Sequence, residues 1–298
     1  MSDVWRVTSD GKVAVAREAS SRHPSPVTRH GFTLVEMLVV ISILGILAAL
    51  TVPALKSLGK SDAAVTASRQ MLEAVGSARQ KAIANHTTVY MIFVTTNFWN
   101  LPCSYNGVNY PTLSAGANAA GGQRLLTTLT NLCDKQLGGY TYVACGAAGD
   151  QPGQHAWHYL EPWQSLPDGT FIASWKFYPR AQSVTVPGFS STVPIYGFMT
   201  ANIPFPTVDS PSVAVPCVAF NYLGQLTYDG QNPAGQDEYI PLARGSVYVA
   251  TDPSTKALQF SPANVSETPP GNSTSSAYNI VDIDWLTGRA TLRFLKVQ

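Results

Sequence analysis

The chain has 298 residues, 45% of them hydrophobic, with a formal net charge of +1 and only 12% charged side chains. That is enough apolar material for one large core or two small ones, and so little charge excludes the basic footprint of a nucleic-acid binder, so no nucleic-acid contact is expected. Gly, Pro, Ser, Thr and Asn concentrate after about residue 95, which predicts a loop-rich β region behind a helical one.

The first element is a basic leader. Residues 1–31 carry Arg6, Lys12, Arg17, Arg22 and Arg29 against Asp3, Asp10 and Glu18, and end in His30-Gly31. Behind them Phe32–Val52 is apolar apart from Glu36 and a few small or hydroxylated residues. At 1.5 Å per residue, about 21 residues span a ~30 Å hydrocarbon core, so this run is expected to cross a membrane. The cations in front of it are expected to hold the N-terminus in the cytoplasm and place everything after Val52 outside. No small-residue cleavage site follows the run, so it is expected to stay attached, with the processing signal ahead of it. Glu36 costs about 2.5–3.5 kcal/mol on insertion scales and therefore demands a positive partner.

The stretch "GFTLVEMLVVISILGILAALTVPAL" resembles the N-terminal signature of type IV pilins and type II secretion pseudopilins. The resemblance implies that a prepilin peptidase cuts between Gly31 and Phe32 and methylates the new amino terminus of Phe32. It also implies that Glu36 is an assembly contact, neutralising the Phe32 ammonium of a neighbouring subunit, and that Pro53 bends the helix. His30 stands where lysine or arginine is usual, with Arg29 beside it. The implied partners are the peptidase, other pilin or pseudopilin subunits, an inner-membrane assembly platform and membrane lipid. The implied location is the bacterial inner membrane, single-pass, with a periplasmic or extracellular head that enters a type II secretion pseudopilus or a type IV pilus.

After Pro53 the alanine-rich run "ALKSLGKSDAAVTASRQMLEAVGSARQKAIANH" places Val65, Ser68, Leu72, Val75, Ala78, Ala82 and Ile83 on a three-to-four-residue period, which predicts one amphipathic helix ending near Asn85-His86. Strands are predicted at "TTVYMIFVTTNFW", "VPCVAFNY", "GSVYVAT", "YNIVDIDW" and "ATLRFLKV", the last two joined by a turn at Gly288. The fold class that follows is α+β: a long membrane-spanning helix over 32–86, with 32–52 in the membrane, packed on an antiparallel β-rich head over 87–298. Residues 100–211 read as a variable, loop-rich insertion. The alanine-rich helix, "VAFNYLGQL" and the terminal "DIDWLTGRATL" hairpin are similar to the H-type minor pseudopilins.

Four cysteines, Cys103, Cys133, Cys145 and Cys217, lie on the far side of the apolar run and none has zinc or redox spacing. One or two disulfides are expected if that side is oxidising, with three full pairings open; buried free thiols are the alternative. His155, His158 and Glu161 share a three-residue spacing, but Pro162 and the crowd of aromatics argue against a metal-binding helix. Trp157, Trp163, Trp175, Phe177 and Tyr178 form a candidate contact platform for a glycan or partner, against the reading that they are core. Neither "YDGQNPAGQDEY" nor the Asp282/Asp284 pair has a calcium-loop register. No nucleophile elbow, phosphate loop or catalytic cysteine-histidine signature appears, so no enzyme, cofactor or metal is expected. The competing function class is a pilin-anchored extracytoplasmic binding protein or enzyme that uses residues 100–211 to bind a glycan or another ligand.

Overall fold

The computed structural model describes residues 33–146, 150, 156–179, 182–185, 192–274 and 279–293, without the side chains of 48–62, 183–185 and 192–193. The leader 1–31 and Phe32 lie outside the described residues. Two units divide the chain, Met1–Ala54 and Leu55–Gln298. Helix α1, Leu34–Asn85, is assigned continuously through both. Pro53, where a bend was expected, falls in the stretch whose side chains are not described.

In the second unit α1 buries Ala64, Ala67, Ser68, Met71, Ala74, Val75, Ala78 and Ala82. The period is the expected one, but the buried stripe is rotated from the predicted face: Val65 and Ile83 are exposed and Leu72 is only half-buried. Small side chains let the helix backbone approach the sheet closely, so alanines occupy the seam and bulkier residues flank it. The helix ends in a Schellman closure. His86 adopts a left-handed φ of 51°, its N–H bonds Ile83 O at 3.4 Å and the Thr87 N–H bonds Ala82 O at 3.3 Å, satisfying carbonyls that the helix would otherwise leave open.

The head then builds β1 (Val89–Phe93), β2 (Cys103–Tyr105), β3 (Val108–Tyr110), helix α2 (Leu113–Asn131) and β4 (Gly139–Cys145). Short strands follow: β5 (Trp157–Tyr159), β6 (Gln164–Ser165), β7 (Thr170–Ile172), β8 (Gln182–Thr185), β9 (Thr192–Ile195) and β10 (Met199–Pro204). The last third supplies β11 (Ser212–Phe220), β12 (Leu226–Thr227), β13 (Glu238–Tyr248), β14 (Asn264–Glu267), β15 (Asn279–Ile283) and β16 (Ala290–Arg293). Every described pairing is antiparallel.

The main sheet runs β3-β2-β11-β1-β4-β5, with β10 and β12 also on β11 and β6 on β4; a second sheet runs β14-β13-β15-β16, with β7 also on β13; β8 and β9 pair with each other. Residues 100–211 are therefore not set apart from the head, because β4 pairs directly with β1 and β10 with β11.

Both faces of the main sheet are covered. Val89, Met91 and Phe93 of β1, with Tyr140, Tyr142, Val218 and Phe220, pack in one cluster with Ala67, Met71, Ala74, Val75, Ala78 and Ala82 of α1. Ile92, Val143, Val213, Val215 and Cys217 face the opposite way, onto Leu113, Ala117, Leu125 and Leu129 of α2. A strand buried on both faces reads as a continuous apolar run, not an alternating one, which is why "VYMIF" carries no polar position. Helix α2 is capped by Thr112, whose side chain accepts from the Ala115 N–H at 3.3 Å, and it kinks at Gly122, where φ is 56°.

The cysteines correct an expectation: Cys103, Cys133, Cys145 and Cys217 are all free thiols. Sheet register explains why no full pairing forms. Cys103 lies opposite Val213 on β11, four residues along that strand from Cys217, or about 13 Å at 3.3 Å per residue. Cys217 pairs with Ile92 across one side of β1, while Cys145 bonds Thr88 O across the other, so these two are about 10 Å apart across the strands and a similar distance along them. Cys103 and Cys145 have β11 and β1 between their strands, about 14 Å at 4.8 Å per strand spacing; a disulfide tolerates a Cα separation of at most about 7 Å, and each full pairing must join two of these three. Burial also pushes the Cys133 thiol up to about 11 and Cys217 to about 12, leaving little reactive thiolate. Maleimide labelling of native protein is expected to modify Cys145, the only one of the four not buried, and labelling in denaturant without reductant all four. Fewer than four labels in denaturant would show a disulfide.

Candidate functional site

In the first unit the described residues begin at Thr33. Its hydroxyl accepts the Glu36 N–H at 3.2 Å, its carbonyl accepts the Met37 N–H at 3.1 Å, and α1 starts at the next residue. Thr33 is thus the N-cap and Glu36 occupies the third helical position, the T-x-x-E spacing of a capping box. A carboxylate in the first turn also suits the positive end of the helix. Gly31 and Phe32, the expected cleavage and methylation residues, lie outside the described residues, so their geometry adds nothing here.

From Thr33 to Leu47 every residue is exposed. Val40, the least exposed large apolar side chain of the run, is still 41% exposed, and Leu34 is 81% exposed. Because the apolar residues occur all round this helix and not on one stripe, no face of it is a soluble face; such a surface requires lipid or other apolar helices around it. Among the described residues no helix is long and apolar enough to cross a membrane; Phe32 and the side chains of 48–52, which complete the expected span, are not among them.

The head candidates are dispersed by the fold. His158 meets Asp150, ring Nε2 to Oδ2 at 2.9 Å, whereas Glu161 pairs with Lys81 at 2.5 Å and accepts from Gln164 Nε2 at 2.6 Å; His155 lies outside the described residues. Among the described residues no group of three His, Cys, Asp or Glu is placed to hold a metal ion.

The aromatic platform does not form as one surface. Trp157 packs edge-on to Tyr90, Trp163 donates to Pro206 O at 3.1 Å and packs on Phe205, Trp175 donates to Ser273 Oγ at 3.2 Å, and Phe177 packs on Phe198. Four of the five rings are thus tied into three packing clusters, Trp157 and Trp163 sharing one, and Tyr178 stands exposed by itself.

The acidic loops are closed on themselves. Asp229 Oδ1 accepts from the N–H groups of Gln231 and Asn232, at 2.8 and 2.7 Å, and from the Thr227 hydroxyl at 3.1 Å, while Oδ2 accepts from Asn232 Nδ2 at 2.7 Å. These bonds, led by the Asn232 side chain, hold its carboxyl well below the usual carboxylate range and use the oxygens a cation would need. Asp282 is buried and its Oδ2 accepts from Arg293 Nε and Nη2 at 2.7 and 2.6 Å. Burial pushes its carboxyl up, against the pull of Arg293.

One constellation was not legible in the sequence. Lys176, in a short 3-10 turn at Ser174–Phe177, has no exposed surface. Its ammonium donates to Glu238 Oε1 and to Tyr196 O, the latter at 2.6 Å, and lies 4.8 Å from the centre of the Phe198 ring. Burial lowers the Lys176 pKa and the Glu238 carboxylate opposes that shift. Beside this pair lies a cleft of about 480 Å³ between residues 194–199 and 228–239.

Comparison with known families matches residues 28–52 to the prokaryotic N-terminal methylation motif. No curated protein and no solved structure matches the chain. The motif match supports the type IV pilin and pseudopilin family for the N-terminal segment, and does not extend to the head, where the H-type likeness has no counterpart.

Proposed function

We propose that this chain, whose residues 28–52 carry the methylation motif, is a structural minor pilin or pseudopilin and not an enzyme. A prepilin peptidase cleaves it after Gly31 and methylates Phe32, and the shortened subunit joins related subunits in a type II secretion pseudopilus or type IV pilus. The observation that carries this reading is the helix from Leu34 to Leu47, apolar on every side and exposed throughout, directly behind a leader that is basic and polar. Before assembly that surface sits in the lipid of the inner membrane; after assembly it packs among equivalent helices. Glu36 then has a dual role, supporting the helix start within its own chain and neutralising the ammonium of Phe32 on a neighbour.

Mass spectrometry of the chain co-expressed with a prepilin peptidase tests the reading. The expected product starts at Phe32 and carries one added methyl group, and Gly31→Ala is expected to suppress it. A product that keeps Met1 beside an active peptidase would overturn the proposal.

A further inference from the structure

The cleft beside Lys176 has the construction of a binding site. Its volume of about 480 Å³ falls within the range of ligand pockets. The walls come from distant parts of the chain, residues 194–199 between β9 and β10 on one side and residues 228–239 leading into β13 on the other. Lys176 ties them together from beneath: its ammonium holds Tyr196 O on the first wall and Glu238 on the second, and its backbone carbonyl accepts the Phe198 N–H at 2.9 Å. A fully buried ammonium is costly unless paired, and this one is spent on fixing the spacing of the two walls.

Pro194, Ile195 and Met199 form an apolar part of the cleft surface, and its polar part is of one electrostatic kind. Tyr196 and Tyr228 are 56% and 41% exposed, Tyr239 is half-buried, and Gln236, Asp237 and Glu238 complete the polar lining. Tyrosine faces and carboxylates both attract cations. Lys176 has no exposed surface with which to attract an anion. Because its charge offsets that of Glu238, Asp237 is, among the described residues that line the cleft, the charged group without an ion-pair partner. The Asp237 Oδ1 accepts the Trp285 N–H at 3.0 Å, which orients the carboxylate and leaves Oδ2 to accept from a ligand. The Tyr228 hydroxyl is held by Gln236 Nε2 at 3.0 Å, which presents its ring to solvent on a fixed support.

We propose that this cleft receives a cationic side chain, arginine or lysine, from an extended segment of a partner protein. Tyr196, Tyr228 and Tyr239 supply ring faces, Asp237 supplies the counter-charge, and Lys176 is a positioning residue that acts through both walls. The site is independent of the membrane helix, so its failure would leave the filament proposal and its peptidase test untouched.

The test uses the full chain in a polyoxyethylene detergent, which carries neither charge nor sugar, titrated with tri-arginine, tri-glutamate and maltotriose. Tri-arginine is expected to bind, and to bind more weakly as salt rises, because the contact is partly exposed. Asp237→Asn keeps an acceptor oxygen for Trp285 and removes the charge; Tyr228→Ala removes an exposed ring. Each is expected to weaken tri-arginine binding about tenfold, the size of effect that one cation contact of this kind supports, with an unchanged urea midpoint. Equal binding of tri-glutamate or maltotriose, no binding of tri-arginine, or binding indifferent to both variants would overturn the proposal.

Discussion

Replacing Glu36 with leucine is expected to remove cleaved subunits from filaments while leaving cleavage after Gly31 intact. Two roles for this carboxylate differ in size. As an acidic group in the first turn of α1, it contributes about 0.3–1 kcal/mol through the helix dipole, which a 52-residue helix tolerates losing. As the partner of a buried ammonium it matters far more, since breaking a buried pair costs about 3–5 kcal/mol and the loss recurs at every subunit contact. Insertion moves the other way, because leucine is favoured over a carboxylate by about 3 kcal/mol at the centre of a membrane helix. Thr33 still caps the helix in the variant, because its bond is to the backbone of residue 36. Cross-linking of cleaved subunits measures the effect. Wild-type incorporation of Glu36→Leu would reduce Glu36 to its local role at the helix start.

Lys176→Met is expected to lower the stability of the head by about 3–5 kcal/mol, because it leaves the buried Glu238 without its counter-charge. The methionine fills the apolar stem of the lysine but takes neither Glu238 nor Tyr196 O as an acceptor. Adding Glu238→Gln to Lys176→Met removes the stranded charge and is expected to recover a substantial part of the loss, the mark of a coupled pair in a double-mutant cycle. Urea unfolding of Lys176→Met, Glu238→Gln and the double variant, followed by tryptophan fluorescence, reads both effects. Additive losses in the double variant would show that the two charges do not act as a pair.

The N-terminal segment was the most legible part of the chain, for a physical reason. The methylation motif matched over residues 28–52 is one contiguous stretch, so it can be recognised in linear order without knowledge of the fold. Strands β1, β11, β15 and β16 were legible because β-branched and aromatic residues concentrate there, whereas only the end of β13, from Gly245 to Tyr248, fell within a predicted stretch. Helix α2 was not: "LSAGANAAGGQRLLTTLTN" contains Gly121-Gly122 and four Ser or Thr residues, a composition that reads as a loop. Its Thr112 cap and the spacing of Leu113, Ala117, Leu125 and Leu129 were the available signals. Strand β4 lay hidden between loop-like sequences, and with it the integration of 100–211 into the main sheet. The Lys176–Glu238 pair and the cleft beside it join residues far apart in the chain, and no local pattern announces such a meeting. The cysteines misled because their number and expected compartment suggested bridges, whereas the strand positions of Cys103, Cys145 and Cys217 keep those three apart.

Strand β1 is among the first parts of the head to be synthesised, and it cannot finish its hydrogen bonding by itself. Its Met91 needs Tyr142 on one side and Val218 on the other, so one edge stays open until most of the head has emerged. Contacts of such long range make folding slow and leave a sticky, apolar strand exposed in the meantime. The helix that precedes it is also unsatisfied, since its alanine seam has no sheet to rest on until β1, β4 and β11 have assembled. A chain cut short before Phe220 therefore lacks more than its last strands: it loses the surface against which its earliest helix becomes stable, and it is left as a candidate for aggregation and proteolysis instead of a smaller working head.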